Sequence, residues 1–179
     1  MKMTGGVFRI FCAATALLAW LIAFSVPGAA AEEQTRSLEE VKKILATTRD
    51  FRGMNLQGHD LSGLDLRKVK FLKSILTGAN LSGADLRGAD MNYTDLRAAD
   101  LTAANLRDAS LCPSDLRGAK IVNADLRGVD LSDADLRGAI IENVDFEGAD
   151  LLRTDFTGAT VTNSRNLDKA IHRDKAKGL

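Results

Sequence analysis

From Phe51 to Val161 every fifth residue is apolar, 23 consecutive positions with no polar exception. Neither regular secondary structure has that interval. Five residues carry an α-helix through roughly 140°, so these side chains would spiral around it. In a strand, side chains alternate between faces, and an odd interval sends successive ones to opposite sides. The pattern predicts instead a unit made of a short extended stretch and a turn, which returns each apolar centre to the same interior. The neighbouring positions fit this unit. Two places before the centre the residue is small: of 18 such positions from 79 to 164, 12 are Ala and the rest Thr, Ser or Val. It shares the centre's parity and so also points inward, where a tube is narrow. Two places after the centre, 14 of 23 positions are Gly or Asn, residues that tolerate the positive φ of a type II turn. The residues directly beside each centre face water and are rich in Asp and Arg. The chain therefore coils as a solenoid with a core of Leu and Ala.

The unit A(D/N)LRG, as in "LSGADLRGAD" (81–90), resembles the repeat of the pentapeptide-repeat family across residues 51–165. The resemblance implies an all-β fold, a right-handed quadrilateral β-helix with four units, or 20 residues, per coil. That gives nearly six coils and a rod about 28 Å long at about 4.8 Å per layer. The sequence supports a 20-residue coil independently. Arg follows the centre at 87, 97, 107, 117, 127 and 137. Four-sided coiling places Arg67, Arg87, Arg107 and Arg127 in one column and Arg97, Arg117 and Arg137 on the opposite face; three-sided coiling would scatter them.

A solenoid exposes its core at both ends unless it is capped. Within residues 32–50, the stretch "SLEEVKKILATTRD" (37–50) reads as an N-terminal capping helix. Ser37 and Glu40 have capping-box spacing, and Leu38, Val41 and Leu45 share a face. Residues 166–179 read as a C-terminal cap or tail, a shorter helix turning Leu167, Ala170 and Ile171 inward. Because the C-terminal end dimerises in some family members, the resemblance also implies a homodimer contact there. Three departures stand out. Met54, His59, Leu64 and Val69 occupy positions that later hold small residues, which predicts a wider or distorted first layer. Lys70 and Ile75 replace the usual Asp within "RKVKFLKSI" (67–75), which predicts an inserted bulge. Pro113 occupies a turn position that wants positive φ, which proline cannot adopt, so that corner must differ.

The first 31 residues lie outside the repeat. Lys2 and Arg9 flank the start of an apolar run (10–26), Pro27 and Gly28 break it, and Ala29-Ala30-Ala31 offers small residues to a signal peptidase. This predicts export, a periplasmic location and cleavage after Ala31. Left uncleaved, the 17-residue run is at the short limit of a membrane span and would tether the protein, the one route by which a membrane enters the picture. The whole 179-residue chain is formally neutral, with 24 basic and 24 acidic residues, so no global field draws it to nucleic acid. Charge divides by segment, however. Residues 76–160 hold 8 basic and 15 acidic groups, residues 32–75 hold 9 and 7, and residues 161–179 hold 5 and 2. The barrel is acidic and its ends are basic.

Candidate chemistry is sparse. No Gly-rich phosphate loop, zinc-ligand spacing or nucleophile elbow occurs, no cofactor is implied, and the chain reads as a non-enzyme. His59 has no Cys, His or Ser partner at a useful spacing and reads as structural filler; His172 reads as solvated. What remains is charge: the basic cluster Arg67, Lys68, Lys70 and Lys73, together with the Arg columns, as a candidate surface for an unknown protein partner. Asp95, Asp115 and Asp135 each lie two residues before an Arg on the same face, so the lattice neutralises much of its own charge. Cys112 directly follows a centre and is predicted to face outward as a free thiol. The leading expectation is a non-catalytic exported scaffold or protein-binding rod. An alternative, suggested by the resemblance, is a nucleic-acid mimic that modulates a type II topoisomerase, disfavoured by the export signal and the Arg columns. A second alternative is a small exported ligand-binding protein or enzyme with its site near His59 and the lysines.

Overall fold

The structure is a computed structural model, and it describes residues 39–179. Helix α1 occupies 39–47. Val41 is buried, and Ile44 and Leu45 pack half-buried against the core of the first coil. The helix stops where the amides of Thr48 and Arg49 both donate to the Ile44 carbonyl, at 3.0 and 2.9 Å, with Arg49 in the left-handed region at φ 51°. Ser37, Leu38 and the export segment lie outside the described residues.

From residue 50 the backbone pairs in parallel with itself at an interval of 20: Asp50 with Lys70, Lys70 with Asp90, Asp90 with Ser110, and likewise for the other three units of each coil. Coils begin at residues 50, 70, 90, 110, 130 and 150. Within a unit the amide of the centre donates to the coil above (Leu86 N to Asn105 O, 2.7 Å). The amide before it donates to the coil below (Asp85 N to Leu64 O, 3.0 Å), and a turn bond closes the corner (Ala89 N to Leu86 O, 3.0 Å). On one face the pairing widens into three short strands, β1 (Lys120–Val122), β2 (Ile140–Glu142) and β3 (Thr160–Thr162). They form one parallel sheet with Ile121, Ile141 and Val161 in register. Each strand carries two or three β-branched residues, which suit a pleated surface.

All 22 centres from Phe51 to Phe156 are buried. Ala fills 11 of the 22 inward positions before them. Ser74, Thr94, Ser114 and Thr154 share one column with Ala134, and their hydroxyls are satisfied by the backbone: Ser74 and Thr94 donate to Phe71 O at 2.6 and 3.1 Å, Ser114 to Leu111 O at 2.5 Å and Thr154 to Leu131 O at 2.9 Å. Phe rings sit at the two ends of the tube, Phe51 against Phe71 and Phe146 against Phe156, with centroids 5.3 and 6.4 Å apart.

Several expectations need correction. No bulge forms at 67–75. Lys70 and Ile75 pair in unbroken register with the coils on either side, because the bridge uses only backbone atoms and the side chain there points to water. The first layer is likewise regular. Met54 and Leu64, like Ile44 and Leu45 of the helix, pack half-buried against the core, and the ladder of the first coil keeps its bonds. The Pro113 corner does differ. The second residue after the centre has positive φ in every unit except Pro113's, even where it is Lys73, Tyr93 or Ala103. At the proline, Tyr93 N shifts its bond to Pro113 O (2.7 Å).

The largest departure is at the C-terminus. Residues 166–179 do not make an α-helix cap. They continue the solenoid with six-residue units, so that Arg165 pairs with Asp145, Ile171 with Asp150 and Lys177 with Asp155. The extra residue of each unit is taken up by a 3-10 turn, Leu167–Lys169 and Arg173–Lys175, with Asn166 and His172 in the left-handed region before them. Leu167 and Ala170 are half-buried as expected, but Ile171 is exposed, because it occupies the outward pairing position. Gly178 lies so close over the preceding coil that a Cβ would come within 2.7 Å of Thr157 N, an approach open only to glycine.

Candidate interaction surface

Each face of the solenoid is a set of columns whose members lie 20 residues apart, and it is named here by its first centre. The Leu66 face carries Arg67, Arg87, Arg107 and Arg127; the Leu56 face, two units away in the coil, carries Arg97, Arg117 and Arg137. The backbone explains why all but one of these Arg find an acid. The residues before and after a centre share the outward side of the same extended stretch, so Asp and Arg at that spacing lie side by side. Arg97 donates to both Asp95 oxygens at 2.9 and 2.7 Å, and Arg117 and Arg137 grip Asp115 and Asp135 the same way at 2.8 and 2.6 Å. The other column repeats the fork with Asp65, Asp85 and Asp125. Longer contacts join coils: Arg97 to Asp115 at 3.8 Å and Arg117 to Asp135 at 3.7 Å. The guanidinium hydrogen bonds hold Asp95, Asp125 and Asp135 below the usual carboxylate range, against a smaller opposing effect of partial burial. Arg107 is the exception: it follows Asn105 and reaches Asp108 only at 3.6 Å.

The predicted basic surface therefore divides. Arg67 belongs to the paired lattice, at 2.7 Å from Asp65. Lys68, Lys70 and Lys73 have no acidic partner within ion-pair distance among the described residues; Lys73 Nζ instead lies 5.9 Å from the centre of the Tyr93 ring. Tyr93 is 60% exposed. His59 is half-buried beneath the second coil, its Nδ1 3.2 Å from the Gln57 carbonyl, and His172 is held 2.9 Å from Asp150. Cys112 is less outward than predicted: it is half-buried, its amide donates to Asn92 Oδ1 at 2.8 Å, and burial with nearby Asp130 and Asp133 pushes its thiol up. Three contacts escaped the sequence reading: Ser110 to Asn92 at 2.7 Å, Asn143 to Asn123 at 2.6 Å and Arg153 to Asp133 at 2.6 Å. The last two pairs are spaced by 20 residues, which is the signal that would have found them.

Eight copies of a model for pentapeptide repeats match residues 50–83, 79–118, 94–133 and 130–165. The chain belongs to the pentapeptide-repeat family. Its known fold, a quadrilateral β-helix, has the four-unit coil described above. Among solved structures, a pentapeptide repeat protein (Rfr23) from the cyanobacterium Cyanothece 51142 is 26% identical, with 75% of this chain and 98% of that one covered, at a TM-score of 0.46. A pentapeptide repeat protein of the Arabidopsis thaliana thylakoid lumen is 35% identical over 62% of this chain and 70% of its own, at 0.32. Trypsin-treated QnrB1, a plasmid-mediated fluoroquinolone resistance protein, is 18% identical over 64% and 63%, at 0.43. No curated protein matches.

Proposed function

We propose that this pentapeptide-repeat chain is a non-catalytic exported rod, a right-handed quadrilateral solenoid that binds a protein partner through its outward columns. The observation that supports it best is the uniform backbone ladder from residue 50 to Lys177. A ladder bonded in every coil holds outward side chains in fixed rows, which suits recognition of an extended surface. Export rests on Lys2, Arg9, the apolar run 10–26 and the Ala29–Ala31 stretch. The lysines of the second coil, unlike the paired arginines, retain charge for a partner.

Expression of the full chain with a C-terminal tag, cell fractionation and intact-mass measurement test this reading. A periplasmic species beginning at Glu32 is the expected product. An uncleaved, soluble cytoplasmic species would overturn it. That outcome would turn attention to the second reading, a nucleic-acid mimic, which draws on the excess of 15 acidic over 8 basic groups in residues 76–160.

A further inference from the structure

On the Leu56 and Leu66 faces Arg67, Arg87, Arg97, Arg117, Arg127 and Arg137 each pair with an Asp of the same unit, but on the Phe51 face four charges find no such partner. Its outward columns hold Lys70 and Lys73 in the second coil, Asp90 in the third, and Asp130 and Asp133 in the fifth. Lys70, Lys73, Asp90 and Asp130 have no ion-pair partner among the described residues, while Asp133 is shared with Arg153 of the sixth coil. The fourth coil, Ser110 and Cys112, is uncharged. One face thus carries unpaired lysines near one end and, near the other, the unpaired Asp130 beside Asp133, which Arg153 already holds.

We infer that the Phe51 face is a docking surface for a second copy of this chain, laid antiparallel with the two rods face to face. A two-fold axis in the plane of contact, crossing between the third and fourth coils, keeps each column opposite itself and reverses the order of coils. Lys70 then meets Asp130, Lys73 approaches Asp133 beside its partner Arg153, and the exposed ring of Tyr93 meets Pro113, while Asp90 comes opposite Ser110, whose hydroxyl already donates to Asn92. Each contact occurs twice, as an isologous interface requires. Asp50 and Asp150 also come opposite one another, but each is already engaged, by Arg52 at 2.6 Å and by His172 at 2.9 Å. A parallel arrangement, with the two-fold along the rods, would exchange the columns and set Lys70 against Lys73 and Asp130 against Asp133, so the charges select the antiparallel one. They also favour a second copy over an acidic partner of another kind, which would need the lysines and be repelled by Asp90 and Asp130. Four coils at about 4.8 Å make a patch only about 20 Å long. It is smaller than the roughly 1,200–2,000 Å² of a stable complex, so the dimer is weak, reversible and sensitive to salt.

This inference rests on the reading of the solenoid as a binding rod, yet it fails separately. The full chain, isolated as the cell processes it, is followed by sedimentation velocity at about 50 mM and about 500 mM NaCl, beside the charge-reversed variants K70E/K73E and D130K/D133K. All four positions face outward, and circular dichroism checks that both variants keep the fold. The wild type is expected to dimerise with rising concentration at low salt only. Each variant alone should stay monomeric, and an equal mixture of the two should form a heterodimer. A wild type that stays monomeric at low salt into the high-micromolar range would overturn the proposal. So would a mixture that does not associate, or variants that dimerise as the wild type does, which would place the contact at another surface such as the C-terminal end. Failure of the binding-rod reading appears instead as a cytoplasmic, uncleaved product, an outcome the sedimentation result does not touch.

Discussion

Replacing Ala104 by Phe tests the inward assignment in the middle of the tube. Ala104 is 1% exposed, with Ala84 and Ala124 in the same column on the coils either side. Those coils are only about 4.8 Å away, so a ring has no void to enter and must spread the layers. The adjoining ladder bonds, Asn105 N to Ala84 O at 3.0 Å and Asp125 N to Ala104 O at 3.1 Å, would lengthen. Overpacking a close-packed core costs about 1–3 kcal/mol, and each weakened backbone bond about 0.5–1.5 kcal/mol. Together they predict a loss of about 2–6 kcal/mol. At about 2–4 °C per kcal/mol for a chain of this size, the melting temperature should fall by roughly 10 °C. Thermal unfolding followed by circular dichroism reads this directly. Glu142→Phe, at an exposed position of β2, is the control and should shift stability by no more than about 0.5 kcal/mol. A melting temperature for Ala104→Phe within about 2 °C of the wild type would refute the packing argument, because a ring that costs so little is not in the core.

Three further outcomes follow from the geometry. Hydrogen bonds from Arg52 lower Asp50 to about 2, and Arg partners lower Asp95, Asp125 and Asp135. Carboxylates depressed in the folded state stabilise it above their unfolded value of about 3.9 and lose that contribution as pH falls; the melting temperature should therefore drop from about pH 4 toward pH 2, and a flat profile there would contradict the pairing. Ala103 holds φ 57°, a conformation that strains a residue with a Cβ by about 1–2 kcal/mol, while glycine's extra chain entropy offsets about 0.5–1 kcal/mol; Ala103→Gly should stabilise by up to about 1 kcal/mol in urea unfolding, and a clear loss would argue against the turn. Gly178→Ala should lift the last unit from the coil below, seen as faster hydrogen exchange at the Phe156 amide, which donates to Lys177 O at 2.8 Å; unchanged protection would mean that the tail tolerates a side chain.

The repeat was legible because one periodic demand, a buried centre every fifth residue, reports directly on the backbone. The Arg columns followed from the same count, and the structure pairs them with the acids two residues earlier. What escaped had weaker or competing signals. The C-terminal units lack a large apolar centre, and "NLDKAIHRDKAKGL" carries enough Leu, Ala and Lys to suggest a helix. The mark of its true period is the triplet Asp-Lys-Ala at 168–170 and again at 174–176, six residues apart. The bulge expected at 67–75 came from reading Lys70 and Ile75 as faults in the ladder, although an outward side chain has no part in it. Arg67 and Lys68 are neighbours in the chain, yet one is clamped by Asp65 and the other has no acidic partner among the described residues, a distinction that only the outward column assignments reveal.

The faces, the paired lattice and the antiparallel dimer all depend on a coil of 20 residues. Spin labels at Gln57 and Thr157, both exposed and in one column, measure it in a chain otherwise free of cysteine. Five coils at about 4.8 Å predict backbone positions about 24 Å apart on a single face, read by pulsed electron–electron resonance after allowance for the labels. A separation near 32 Å, as about 15 residues per coil would give at the same layer spacing, would contradict the four-unit coil and every face built on it.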